Sequence, residues 1–344
     1  MKQAVMTGLR KVEIRETEIP QPKTNEVLVK IEHVGICGSD LHYFESGRIG
    51  DFIVEPPFVL GHEASGTVVK AGVDVTDLEA GDRVAMEPGK TCGVCEYCKS
   101  GKYNLCKDVI FFATPPVDGV FQEYAVHEAS LCFKIPDTMS TVEGALIEPL
   151  AVGFHAAKQG GACIGQTAVV TGAGCIGLVS LLALKTMGVS KVIVVDVMEK
   201  RLQKALELGA DAVINGREES SEEKILEMTG GQGCDLSIET AGSEITASNL
   251  IRASKKGGTI VFVGYSASGM MTLPIGMALD KELTMKTVFR YRNIYPLAIQ
   301  AVASGKIDIK QIVTNYFTLD QIQEAMDSCV DHKEDIVKGI IKIG

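Results

Sequence analysis

Cys37 stands at the end of a strand in a glycine-bracketed turn, Gly35-Ile36-Cys37-Gly38-Ser39-Asp40, and twenty-five residues later Gly61-His62-Glu63 sets an imidazole beside a carboxylate. Thiolate, imidazole and carboxylate are ligand types that Zn²⁺ takes in catalytic sites, where three protein groups leave a fourth position for water or substrate. A second carboxylate competes for the same role. Glu148, in Ile147-Glu148-Pro149, lies between apolar residues and needs a charged or metal partner. In a regular strand His62 and Glu63 would point to opposite faces, so both reach one metal only if the backbone bends or starts a helix there. Glu63 and Glu148 therefore both remain candidates for the third ligand.

A second constellation is more local. Cys92-x₂-Cys95-x₂-Cys98-x₇-Cys106 places four sulfurs within fifteen residues, flanked by Gly93 and Gly101. Such a set closes a tetrahedral Zn–S₄ site with no open position, which makes the metal structural. The thiols are too close in sequence to pair comfortably as two disulfides. An iron–sulfur cluster is the alternative for this spacing, and a redox dithiol a weaker one. Cys132, Cys163, Cys175, Cys234 and Cys329 are scattered and read as small buried hydrophobes.

The third constellation is Gly172-Ala173-Gly174-Cys175-Ile176-Gly177, a G-x-G-x-x-G run after the apolar strand Thr167–Thr171. Glycines at 172 and 174 permit a tight turn and close approach of a pyrophosphate. Gly177 lets the following helix pack on the sheet, and the helix N-terminus faces the phosphates. Asp196 ends the next strand nineteen residues past Gly177, where a carboxylate accepts hydrogen bonds from an adenosine ribose diol. An acidic group there repels a 2′-phosphate, which favours NAD over NADP. Arg201 could stack on the adenine or contact a phosphate.

These groups need two kinds of scaffold. Residues 1–150 read as short strands punctuated by glycine and proline, among them Val27–Ile31, Gly66–Lys70, Gly81–Ala85 and Phe121–Val126, which suggests a small, partly closed β-barrel. In 151–289, strands at 167–171, 191–196, 212–214, 236–239, 259–263 and 284–289 alternate with helices beginning near Ile176, Glu199, Glu218, Ile245 and Leu273. That is the pattern of a doubly wound parallel sheet. Residues 290–344 add helices at about 296–303 and 319–329 and a last strand at 336–343, read as returning to the first domain. At 344 residues, two domains are the default. The net charge of −10 argues against nucleic acid or an anionic membrane surface as partner. No apolar run approaches the roughly eighteen residues of a membrane span, and the N-terminus reads as a strand rather than a signal. The expected compartment is the cytoplasm, and a count of ten cysteines there suggests metal or reactive thiols before disulfides.

The chain resembles the zinc-dependent medium-chain alcohol dehydrogenases, and within them the sorbitol, or polyol, branch. The resemblance is carried by Gly35–His42, Gly61–Gly66, Gly81–Val84, the four-cysteine loop, Ala145–Leu150 and Gly172–Gly177. The polyol branch is suggested by Tyr43, Gly47–Gly50, Phe111–Pro116 and Val288–Tyr291. The resemblance implies an α/β fold, a GroES-like catalytic domain plus a Rossmann domain, with two zinc ions per chain and NAD. It implies that Cys37 and His62 bind the catalytic zinc with Glu63, while Glu148 holds water or substitutes as ligand. The implied reaction oxidises a secondary hydroxyl of a polyol to a ketose with hydride transfer to NAD, Ser39 and His42 relaying the proton. Tyr43, Glu148, Arg290 and Tyr291 would face substrate. Gly172, Gly174, Ile176, Gly177, Asp196, Arg201, Val263 and Arg290 would face cofactor. A relative acting on 2,3-butanediol or threonine is the alternative within the family, and a non-catalytic zinc protein the alternative outside it. The expected partners are a small polyol and further copies of the chain, as a homotetramer or homodimer.

Overall fold

The structure is a computed structural model that describes residues 1–266 and 269–344. The chain divides into two units, Met1–Glu148 with Tyr295–Gly344, and Pro149–Ile294. The divisions fall near, not at, the expected 150 and 289, and the first lies inside the helix Ile147–Gly160.

In the first unit the spine is the strand Glu26–Gly35, whose Val27, Val29 and Ile31 are fully buried. One edge pairs antiparallel with Glu63–Ala71. The other edge is shared: residues 26–30 pair with Tyr124–Glu128, and residues 33–35 pair with Gly339–Lys342 near the C-terminus. The sheet continues through Arg83–Met86 to Cys132–Lys134 on one side and Asn315–Thr318 on the other, seven strands in all. Register shifts at Leu28/Val29 and Ile31/His33 bend the spine, as bulges do. This is the GroES-like β architecture expected for the N-terminal half.

Three elements depart from the sequence expectation. The segment after Cys37 is a helix, Gly38–Ser46, rather than a glycine-bracketed turn. Asp40 makes it possible by accepting the Cys37 N–H through Oδ2 at 3.0 Å. Gly47, at φ 71°, ends it in the left-handed conformation that glycine adopts without strain. The last strand is shorter than expected, Gly339–Lys342, and Asn315–Thr318 is an additional strand beside it.

The second unit holds a six-stranded parallel sheet in the order Ala212–Asn215, Lys191–Asp196, Thr167–Thr171, Cys234–Glu239, Ser254–Phe262, Thr284–Thr287. Helices cover both faces, so the central strands carry unbroken apolar runs such as Val192-Ile193-Val194. The strand order reverses between Thr167–Thr171 and Cys234–Glu239, and in such sheets the ligand crevice opens at the carboxyl ends of those strands. The helix expected near Glu218 starts at Ser221, because Ser220 caps it by accepting the Glu223 N–H. No disulfide joins any of the ten cysteines. Among the described residues no helix is long and apolar enough to cross a membrane.

Candidate functional site

Two loops of the first unit bring the opening residues together. Cys37 follows the spine strand and precedes the helix Gly38–Ser46. His62 follows Gly61, whose φ of 90° turns the chain before the strand Glu63–Ala71 begins. A Cβ on Gly61 would lie 2.9 Å from the Phe121 ring, so both conformation and space require glycine. The turn resolves the alternation problem, since regular strand geometry starts only at Glu63. Ligand atoms of Cys37, His62 and Glu63 all lie within 4.8 Å of one another, and Glu148 stands outside that cluster. Glu148 is itself buried, in the first turn of Ile147–Gly160.

Asp40 ties the two loops. It is fully buried, and its Oδ1 accepts the Gly61 N–H at 2.9 Å while lying 3.7 Å from His62 Nδ1. Burial pushes the His62 imidazole down, but the Cys37 sulfur and the Asp40 carboxylate outweigh it and lift it well above its ordinary value. Thiol, imidazole and carboxylate gathered this closely are a donor set that suits a zinc ion. His62 Nδ1, buried and without a hydrogen-bond partner, agrees with that.

Glu63 is held from behind. Lys338, 2% exposed, donates to both Glu63 oxygens at 2.7 Å and to the Ile36 carbonyl at 2.9 Å. Glu63 is the cross-strand partner of Gly35, and a Cβ at 35 would overlap Glu63 Oε2.

The cysteine loop forms a second cluster in the same unit. Cys92, Cys95, Cys98 and Cys106 keep their sulfurs within 4.8 Å of one another. Backbone N–H groups of Cys95, Cys98 and Cys92 point at the sulfurs of Cys92, Cys95 and Cys106. The N–H groups of Val94 and Cys95 pull the Cys92 thiol down to about 6. For Cys95 the Cys98 N–H also pulls down, but burial and the neighbouring thiols prevail and push it up to about 11. Four sulfurs held this close together are a donor set that suits a tetrahedral divalent metal.

In the second unit Gly172, at φ 87°, turns the chain out of its strand, and Gly174 precedes the helix Cys175–Thr186. A Cβ on Gly177 would overlap the Gly172 carbonyl, so the helix approaches the turn only because residue 177 is glycine. Asp196 Oδ2 accepts the Ala173 N–H at 2.6 Å, and Oδ1 accepts those of Val197 and Met198. Arg201 reaches the same turn, with Nη1 3.8 Å from where a Gly174 Cβ would sit. Ile176 is in the first turn of the helix, and Val263 donates its N–H to the Glu239 carbonyl at 2.8 Å.

Comparison with known proteins agrees with both halves of this arrangement. Residues 23–137 match the alcohol dehydrogenase GroES-like domain, and residues 175–304 match the zinc-binding dehydrogenase family. Sorbitol dehydrogenase of Bacillus subtilis (strain 168) is 42% identical over 341 residues, covering 99% of this chain and 97% of that protein. The chain belongs to the zinc-binding alcohol dehydrogenases. Sorbitol dehydrogenase of Homo sapiens is 46% identical over 326 residues, covering 94% of this chain and 91% of that one. A solved Escherichia coli oxidoreductase/dehydrogenase of unknown specificity, involved in membrane biogenesis, superposes with a TM-score of 0.96 at 44% identity. It covers 100% of this chain and 99% of its own.

The helix Gly38–Ser46 carries three of the expected site residues. Ser39, His42 and Tyr43 lie three and four residues apart, so they share one side of it. Ser39 is half-buried, His42 exposed and Tyr43 buried. Arg290 and Tyr291 belong to the second unit, on the segment after Thr284–Thr287. The Arg290 guanidinium lies 4.8 Å over the Phe289 ring, and Tyr291 is buried. Two residues escaped the sequence reading. Asp40 carried a usable signal, an acid three residues after Cys37 at a helix start. Lys338 carried none, since nothing local links it to a glutamate 275 residues away.

Proposed function

We propose that this chain is an NAD-dependent polyol dehydrogenase that oxidises a secondary hydroxyl to a ketose. The observation that carries the reading is the Cys37–His62–Glu63 cluster, a thiol, an imidazole and a carboxylate whose ligand atoms lie within 4.8 Å of one another. Zinc held there would supply the Lewis acidity that makes a hydroxyl acidic, and NAD would supply the hydride acceptor. Cys37, His62 and Glu63 bind the metal, and Glu148 orients a water beside the cluster. Ser39 takes the substrate proton and passes it along one side of its helix to His42, which is exposed and delivers it to solvent. Tyr43, Arg290 and Tyr291 hydrogen-bond the remaining hydroxyls. Cys92, Cys95, Cys98 and Cys106 hold a second, structural zinc.

For the cofactor, Gly172, Gly174, Ile176 and Gly177 form the phosphate turn, with Arg201 beside it and Val263 and Arg290 along the remainder. Asp196, at the carboxyl end of its strand, accepts from the ribose diol and disfavours a 2′-phosphate. The chain works in the cytoplasm as a homotetramer or homodimer, with neither nucleic acid nor membrane as partner. The edge strand Thr284–Thr287 supports self-association: all four residues are exposed, and the nearby Leu279 and Phe289 are exposed apolar residues.

The test is NADH production against sorbitol, xylitol, 2,3-butanediol and threonine, with zinc counted per chain and mass measured in solution. Turnover of a polyol with two zincs per chain is expected. Turnover confined to butanediol or threonine would overturn the substrate, and a single zinc confined to the cysteine loop would overturn the catalytic centre.

A further inference from the structure

At the carboxyl end of the strand Cys234–Glu239, where the strand order of the parallel sheet reverses, lies a carboxylate with no part in the roles above. Glu239 is fully buried, and no described cation forms an ion pair with it. Its side chain instead collects donors from two directions. Oε1 accepts the Ala241 N–H at 3.0 Å, the Thr246 hydroxyl at 2.8 Å and, more loosely, the Thr171 hydroxyl at 3.5 Å. Oε2 accepts the Gly242 N–H at 3.1 Å. Its backbone carbonyl accepts the N–H groups of Val263 at 2.8 Å and Gly264 at 2.9 Å. Burial pushes the carboxyl above its ordinary value, against the pull of Thr246, Gly242 and Ala241.

The segments it joins are packed at glycine distance. A Cβ on Gly264 would overlap the Gly242 nitrogen and come 2.8 Å from Glu239 Oε2, and one on Gly242 would overlap the Tyr265 carbonyl. One on Gly172 would come 2.9 Å from Thr240 Oγ1. The Thr240 hydroxyl donates to the Thr171 carbonyl at 2.7 Å and the Gly172 carbonyl at 3.1 Å. The glycine turn, the segment 240–246 that opens the helix Glu244–Ala253, and the strand end 263–265 therefore meet around one carboxylate. Asp196 braces the turn from the opposite side through the Ala173 N–H.

We propose that Glu239 is a positioning residue for the dinucleotide, locking these three segments into one rigid edge against which the cofactor lies. The inference rests on the reading of the second unit as an NAD site. Positioning by a pre-formed edge lowers the ordering cost of binding, so loosening the lock weakens cofactor affinity without touching the metal chemistry.

Glu239→Gln tests this, because in either amide orientation the NH₂ faces a backbone N–H, that of Ala241 or of Gly242, leaving a buried donor unmet. The chain has no tryptophan, so NADH emission can be titrated against a dark background. The expected result is an NADH Kd raised about tenfold. Zinc content and the polyol KM at saturating NAD should be unchanged, with faster amide exchange confined to 172–177, 240–246 and 263–266. Wild-type affinity in Glu239→Gln overturns the inference alone, whereas a wild-type chain that does not bind NADH overturns the cofactor reading as well. If Glu239→Gln does not fold, Thr246→Val removes one donor and keeps the carboxylate. A weakening of roughly threefold is then expected, and unchanged binding overturns the proposal.

Discussion

Lys338 and Glu63 form a buried ion pair in which one ammonium meets both carboxylate oxygens at 2.7 Å, 1–2% exposed on each side. The pair joins the C-terminal segment to the residue next to His62. It also fixes both Glu63 oxygens beside the Cys37–His62 pair, where the proposed zinc would share them with the lysine.

Removing one partner strands the other charge in the interior. Lys338→Met should lower stability by about 3–5 kcal/mol and loosen zinc from the first cluster. Lys338→Arg, which keeps the charge, should recover part of it. Urea midpoints with zinc retention under a chelator measure both, and a Lys338→Met protein as stable as its parent would show that Glu63 is neutralised elsewhere.

Gly35 makes room for that carboxylate. Gly35→Ala puts a methyl where Glu63 Oε2 lies, so either Glu63 or the spine strand must move. The expected cost is roughly 1–3 kcal/mol of stability, with a large loss of activity while the cysteine-loop zinc is kept. Normal turnover in Gly35→Ala would refute the proposed ligand role of Glu63.

Asp196 braces Ala173, and the proposed function gives it a second duty, facing the ribose. Asp196→Ala should weaken NAD and relax the preference toward NADP, read as the ratio of kcat/KM values. An unchanged ratio would remove Asp196 from the ribose and leave only its brace of the turn.

Glu87 gives a pH dependence with a defined sign. It is buried before the cysteine loop, and burial pushes its carboxyl from 4.5 up to about 7, against the opposing hydrogen bond from the Tyr103 hydroxyl. His127 faces it as well, bonded to its backbone carbonyl. The folded state binds the proton more tightly than the unfolded state. The contribution is therefore fully present below about pH 4.5 and is lost as pH rises through 7, a change on the order of 3 kcal/mol. Glu87→Gln should flatten this. Urea stability of both proteins at pH 5 and pH 8 measures it, and parallel profiles would contradict the raised value.

Much of the site was legible because its chemistry is local. The four cysteines, the glycine turn with Asp196, and the pairing of Cys37 with His62-Glu63 are spacings that ligand geometry and a βαβ unit impose over a few dozen residues. Apolar runs of strand length, alternating with helical segments, likewise determined the parallel sheet. The helix Gly38–Ser46 was missed because its start depends on one Asp40 side chain and its flanking glycines read as a turn. Tertiary structure alone decided the rest. A one-residue turn at Gly61 lets adjacent His62 and Glu63 serve one cluster. Lys338 comes to Glu63 only through the pairing of Gly339–Lys342 with the spine strand. Glu239 gathers donors from strands and loops that meet only when the sheet is assembled. Spacing specifies which chemical groups exist, but a buried charge finds its partner across the fold, where sequence distance has no bearing.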